Sequence, residues 1–171
     1  TDQLGRDLFS RLIFGARNSI GIAFATTLLA FVLGGSFGII AATVRGIVDQ
    51  VLSRIVDSVI SIPDIIFTLM LLTIFGSSVM NLMAIIAIID STRIFRLSRA
   101  AAFNVVTLEF VEAARARGER LPWIVVQEIL PNILPILISE FGTRFCFVFL
   151  AIAALSFLGV GLQPPMAEWG S

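Results

Sequence analysis

Long apolar stretches alternate with short polar connectors along this chain. The first uncharged stretch runs for 27 residues from Asn18 to Val44. As a helix it reaches about 40 Å, more than the hydrocarbon core of a bilayer, which is about 30 Å thick. The pattern therefore predicts a membrane-spanning helix over 18–44. Small residues recur in it at every fourth position, a spacing typical of a face on which another helix packs closely: Ala30, Gly34 and Gly38.

The second uncharged stretch, between Asp64 and Asp90, allows two topologies. It forms either one span of 25 residues or a hairpin of two shorter spans, 57–75 and 79–97. Segregation of the arginines favours the single span slightly. A hairpin is nevertheless preferred, because small and polar residues that the other spans lack gather near its middle: Gly76, Ser77, Ser78 and Asn81.

The last apolar stretch follows Pro131 and Pro135 and predicts a span over 135–162. Two charged residues interrupt it, Glu140 and Arg144. The acid precedes the base by four residues, which is the favourable order for an ion pair on one helix. We therefore expect these two side chains to neutralise each other.

A polar connector, 98–131, separates the third and fourth predicted spans. Its region is rich in arginine, and the positive-inside rule places such a loop in the cytoplasm. Residues 1–17 would then form an extracytoplasmic lead-in. Good helix formers fill 100–117, whereas Gly118 can end a helix and Pro122 discourages its continuation. A short cytoplasmic helix that ends near Gly118 is expected.

The amino-acid composition indicates an integral membrane protein and argues against several kinds of functional site. Hydrophobic residues make up 57% of the chain and the mean hydropathy is +0.99, above the roughly 45–50% apolar content of soluble domains. The net charge is zero, which indicates no nucleic-acid partner. Histidine is absent and Cys146 is the only cysteine, so no metal site, disulfide or catalytic residue is predicted. A membrane-embedded enzyme is therefore disfavoured.

One connector motif is more specific than composition. The sequence EAARARG, followed by Leu130 and Pro131, resembles the EAA loop of permease subunits of bacterial ATP-binding cassette (ABC) importers. In that family the loop forms short coupling helices that dock in a groove of the cytoplasmic ATPase. The resemblance therefore implies an ATPase-coupling role for seven residues: Glu112, Ala113, Ala114, Arg115, Ala116, Arg117 and Gly118.

Flanking motifs extend the resemblance over nearly the whole chain. TDQLGRDLFSRLIFGAR at 1–17 and LSFLGVGLQPP at 155–165 are similar to segments of the "C"-type permeases of dipeptide, oligopeptide and nickel importers. The resemblance implies an all-α integral membrane protein, a polytopic helical bundle of the type I ABC importer permease kind. About four transmembrane helices would lie in this fragment of a probable six. Glu128, Ile152 and the stretch 90–93 depart from the family pattern and leave the substrate class open.

The resemblance also implies a function and a set of partners. The chain would be a permease subunit in the bacterial inner membrane that forms part of a pathway for peptides or similar small solutes. Its partners would be a second homologous permease, cytoplasmic ABC ATPase subunits, an extracytoplasmic solute-binding protein and membrane lipid. ATP would bind to the ATPase and no cofactor to this chain. The alternative is a secondary transporter or channel that works without ATP.

Polar residues inside the predicted spans are candidates for the translocation path. Such residues usually face the interior of a helical bundle or a water-filled cavity. They can also make hydrogen bonds between helices without any transport role. The candidates are Ser61, Asp64, Thr68, Asn81 and Asp90.

Overall fold

The structure, a computed structural model, describes residues 8–160, and their side chains from residue 13 onward. Every regular element in that range is helical. The elements are α1 (Leu8–Val44), α2 (Gly46–Ile60), α3 (Asp64–Phe75), α4 (Val79–Val106), α5 (Glu109–Ala116), α6 (Leu121–Ile124), a π-helical turn (Val125–Ile129) and α7 (Leu130–Phe157). Residues 1–7 of the predicted lead-in, the end of the span 135–162 and the QPP segment lie outside the described residues.

The closest helix pair is α1 with α4, and small residues allow the close approach. Ala30 is fully buried against Ala87 and Ile94. A methyl group added at Gly34 would lie 2.8 Å from Cβ of Ile94, and the Ser98 hydroxyl donates to the Gly34 carbonyl at 3.2 Å. The four-residue spacing thus marks a packing face, as expected.

The chain turns between α3 and α4, as the hairpin topology requires. Gly76 has a φ of +85°, a conformation that glycine adopts without steric cost. Ser78 caps α4 by accepting from the Asn81 backbone at 3.2 Å. The Asn81 side chain donates back to the carbonyls of Phe75, at 2.7 Å, and Gly76, at 3.1 Å. These bonds satisfy the exposed backbone groups at both helix ends.

The predicted span 57–75 is not one continuous helix. Residues 57–60 end α2, and the chain bends by 90° before α3 begins at Asp64. Pro63 explains the break, since proline disfavours a helical conformation in the residue before it and has no N–H to donate. The twelve residues of α3 reach about 18 Å, less than the roughly 30 Å of hydrocarbon.

Length and apolar composition identify two stretches of the described chain that can cross a membrane, Ile13–Val44 and Leu121–Phe157, or three if the bent pair α2–α3 counts as one. The helix α4 has 28 residues, but charges at 90, 93 and 96 interrupt its apolar part. The predicted count of four spans therefore stays a prediction. Two helices are longer than the spans predicted for them: α1 begins before residue 18, and α4 continues beyond residue 97.

The segment from α6 to α7 forms one helical rod with a π-helical turn in it. The turn comes directly before Pro131, whose ring would clash with a carbonyl one turn earlier in a regular α-helix. Widening the helix there relieves such a clash. The Asn132 side chain donates to the Glu128 carbonyl at 2.6 Å, a bond that ties the π-helical turn to the start of α7. The span therefore starts earlier than the predicted residue 135.

Candidate functional site

The connector helix α5 has two distinct faces. Val111 and Ala114 are fully buried, whereas most of the predicted coupling residues are exposed: Glu112, Ala113, Arg115, Ala116, Arg117 and Gly118. Ala114 is the one buried member of the predicted coupling residues. Its position, three residues after Val111, places it on the same inward face of the helix, so its side chain packs within this chain and is not available to a partner.

The end of α5 has the geometry that the sequence predicts for Gly118. This residue adopts a φ of +84°, and its N–H donates to the Arg115 carbonyl at 2.9 Å. The next N–H, that of Glu119, reaches the Ala114 carbonyl at 3.2 Å. This pair of bonds is a Schellman motif, which favours glycine because only glycine adopts the left-handed conformation without strain. Among the described residues, none beyond the chain neighbours of Gly118 has an atom within 4 Å of where its Cβ would be.

The buried face of α5 connects it to both neighbouring membrane helices. Val111 and Ala114 belong to one apolar cluster with residues of α4, α6, the π-helical turn and α7: Val106, Ile124, Ile129 and Ile133. An ion pair between Arg117 and Glu128, 4.0 Å apart, joins the end of α5 to the π-helical turn. Because interiors are close-packed and deform little, a displacement of α5 would move the ends of α4 and α7 with it.

A second feature is a cleft between α3, α4 and α7, with a volume of about 330 Å³. Three predicted path residues line it: Asp64, Thr68 and Asp90. Its other walls are mainly apolar, and include Phe147, Val148 and Leu155. The structure thus brings together three of the five candidates from two helices, Asp64 and Thr68 from α3 and Asp90 from α4.

The other two predicted path residues lie elsewhere. Ser61 is exposed at the bend between α2 and α3, where its hydroxyl donates to the Ser58 carbonyl at 2.7 Å. Asn81 holds the turn between α3 and α4 through the bonds given above. Both side chains have local backbone roles, which explains their polarity without a transport function.

Two arginines pair with the acids of the cleft, Arg93 in its lining and Arg144 beside it. Arg93 lines it and donates to Asp64 at 2.5 Å. Arg144 donates to Glu140 at 2.6 Å, as the four-residue spacing predicted, and also lies 3.5 Å from Asp90. The Arg93–Asp64 and Arg144–Asp90 pairs have no sequence signal, because the partners lie on different helices. Oδ2 of Asp90 is buried without a hydrogen-bond partner among the described residues.

Two further ion pairs involve arginines that follow Arg93 on α4. Arg96 donates to Asp57 at 2.6 Å, and Arg99 donates to Asp49 at 2.6 Å. Successive arginines three residues apart thus meet acids from α3 and α2, which fixes the bent segment against α4. Within residues 8–160 no group of three or more metal-binding side chains comes together.

Comparison with known proteins agrees with the motifs. Residues 34–171 match the family described as "Binding-protein-dependent transport system inner membrane component". Over 170 residues the chain is 36% identical to the dipeptide transport system permease protein DppC of Alkalihalophilus pseudofirmus, covering 99% of this chain and 56% of the relative. It is 33% identical to the glutathione transport system permease protein GsiD of Pectobacterium atrosepticum, with the same coverage of 99% and 56%.

A third relative is the probable D,D-dipeptide transport system permease protein DdpC of Escherichia coli, 35% identical over 100% of this chain and 57% of its own length. The chain thus spans little more than half the length of these relatives. Their names describe transport permeases, as the resemblance predicted, and not enzymes. Because the matched region exceeds half of this chain, the protein belongs to the family of binding-protein-dependent transport system inner membrane components.

Proposed function

We propose that the full protein is a permease subunit of an ABC importer that carries peptides or similar small solutes across the bacterial inner membrane. The observation that carries the proposal is the two-faced helix α5. Its outer face exposes charged and small side chains in a short helix, and its inner face is packed against both neighbouring membrane helices. The names of the relatives support the peptide class.

The mechanism follows from this placement. A permease needs no catalytic residue, since ATP binds and is hydrolysed on separate ATPase subunits. Glu112, Arg115 and Arg117 offer charge-assisted bonds to a partner surface, while Ala113 and Ala116 keep the helix narrow enough to enter a groove. Closure of the ATPases would displace α5, and the shared apolar cluster would transmit the displacement to α4 and α7.

The cleft at Asp64, Thr68 and Asp90 is our candidate for this chain's part of the translocation path. Charged side chains in membrane segments are costly and usually line substrate or ion routes. A second homologous permease would complete the path, and an extracytoplasmic binding protein would deliver the solute. No cofactor is expected on this chain.

Uptake into membrane vesicles tests the proposal. The full-length permease would be produced with the proteins encoded beside it, and uptake of radiolabelled dialanine would be measured with ATP and with a non-hydrolysable analogue. Uptake that requires hydrolysis supports the importer. Uptake that persists without ATP and follows an ion gradient would instead support the secondary transporter. A vesicle preparation without the permease gives the background.

A further inference from the structure

The charges around the cleft do not balance. The ion pairs in and beside the cleft join three carboxylates, those of Asp64 and Asp90 in its lining and of Glu140 outside it, to two guanidinium groups, those of Arg93 and Arg144. One formal negative charge is left over. An uncompensated charge in an apolar environment is strongly unfavourable, so this cluster attracts a further positive group.

Asp90 is the carboxylate with the weakest compensation. Asp64 has Arg93 at 2.5 Å. Arg144 is shared, and its shorter bond, 2.6 Å, goes to Glu140 rather than to Asp90, which lies at 3.5 Å. Asp90 is only 8% exposed, it lines the cleft, and its Oδ2 accepts no hydrogen bond from any described residue. A buried polar atom without a partner is uncommon in native structures and often marks an absent ligand.

The surroundings limit the class of ligand. A metal ion normally takes four or more ligands, and no group of three metal-binding side chains lies together in the described part of the chain. Apart from Thr68, the remaining lining residues are apolar and include Phe147, Val148 and Leu155. This combination suits an organic cation, whose N–H groups would face the carboxylates and whose carbon atoms would face the apolar wall.

From this geometry we propose that the cleft binds an ammonium or guanidinium group of the transported solute, with Asp90 as the main acceptor and Asp64 as the second. The inference rests on the proposed function, because it names the charge class that the path prefers. Anions would be repelled by the excess negative charge of the ion-pair network. The site therefore selects by the sign of charge before it selects by shape.

Thiol modification in the cleft tests the proposal without ATP or uptake. In the full-length permease, with Cys146→Ser to remove the native thiol, Ala151→Cys places a reporter on the α7 wall of the cleft. Membrane vesicles are treated with a trimethylammonium-ethyl or a sulfonato-ethyl methanethiosulfonate reagent, and modification at 151 is followed by mass spectrometry. After correction for the rates with free thiol, we expect the cationic reagent to react at least about tenfold faster.

Charge variants identify the source of the preference. Asp90→Asn should lower the cation-to-anion ratio at least about fivefold, and Asp64→Asn should lower it less. Asp57→Asn is the matched control, because Asp57 also pairs with an arginine of α4 but lies outside the cleft, and it should leave the ratio unchanged. Equal rates for the two reagents, or an unchanged ratio in Asp90→Asn, would overturn the proposal.

A second measurement leaves Asp90 unchanged. It tests the proposal even if the Asp90→Asn variant does not accumulate in the membrane. Propylammonium should slow the reaction of the 151 thiol with N-ethylmaleimide, whereas propionate should not. Slowing by both ions or by neither contradicts the proposal. A thiol that reacts with no reagent would mean that another protein segment fills the cleft, which also contradicts it. None of these rates depends on ATP, so a failed uptake assay would refute the importer separately.

Discussion

The packing of α1 on α4 allows a comparison between two adjacent glycines. A Cβ at Gly34 would lie 2.8 Å from Cβ of Ile94, 3.0 Å from the backbone nitrogen of Phe95, and closer still to the carbonyl oxygen of Ser91. Backbone atoms cannot rotate away as a side chain can, so the two helices would have to separate. A Cβ at Gly35 would meet nothing within 4 Å.

The magnitude follows from these two environments. Replacing either glycine by alanine in a helix gains about 0.5–1 kcal/mol of intrinsic stability, and this gain cancels when the two variants are compared. Overpacking by one methyl group costs about 1–3 kcal/mol. We therefore expect the unfolding free energy of Gly34→Ala to be about 1–3 kcal/mol lower than that of Gly35→Ala. Each kcal/mol of this difference lowers the melting temperature by about 2–4 °C.

Thermal unfolding of the full-length permease in detergent, followed by circular dichroism, measures this difference. Gly38→Ala should behave like Gly34→Ala, since its Cβ would lie 2.7 Å from the Phe95 carbonyl oxygen. Gly34→Ala that melts with or above Gly35→Ala would refute the close approach of the two helices.

Three further outcomes follow from the other described contacts. Gly118→Glu should abolish ATP-driven uptake while leaving the protein in the membrane, because a bulky side chain at a φ of +84° strains the end of α5. Asparagine tolerates this conformation, so Gly118→Asn should retain most uptake. Ser78→Ala should lower unfolding stability by about 1 kcal/mol through loss of the α4 cap, with Ser77→Ala, which caps nothing, as the control. Arg144→Leu should cost about 3–5 kcal/mol by leaving two carboxylates without their cation, and adding Glu140→Gln should recover part of the loss; equal stability of the single and double variants would count against the ion network.

Local features were the part of the fold that the sequence predicted well. The turn at Gly76, the end of α5 at Gly118 and the Glu140–Arg144 pair all depend on residues within a few positions of one another. These features can therefore be predicted from residue type and sequence spacing alone. The four-residue pattern of Ala30, Gly34 and Gly38 likewise predicted a packing face, because a helix presents such positions on one side.

Features that depend on tertiary contacts were not predictable in this way. The inward direction of Ala114 follows from its place in a cluster to which five other elements contribute. The 90° bend before Asp64 has a sequence signal in Pro63, but proline alone does not distinguish a kink within one span from a change of direction. The pairing of Asp90 with Arg144 joins α4 to α7 and has no local signature.

Cross-linking between the coupling helix and the ATPase tests the proposed function most directly. Ala113 and Ala114 are adjacent, yet the first is exposed and the second is fully buried. In a Cys146→Ser background, a bifunctional thiol reagent should join Ala113→Cys to the ATPase encoded beside the permease in a nucleotide-dependent manner. Ala114→Cys should give little adduct. Absence of an adduct from Ala113→Cys and Ala116→Cys, together with uptake that persists without ATP, would contradict an ABC importer permease.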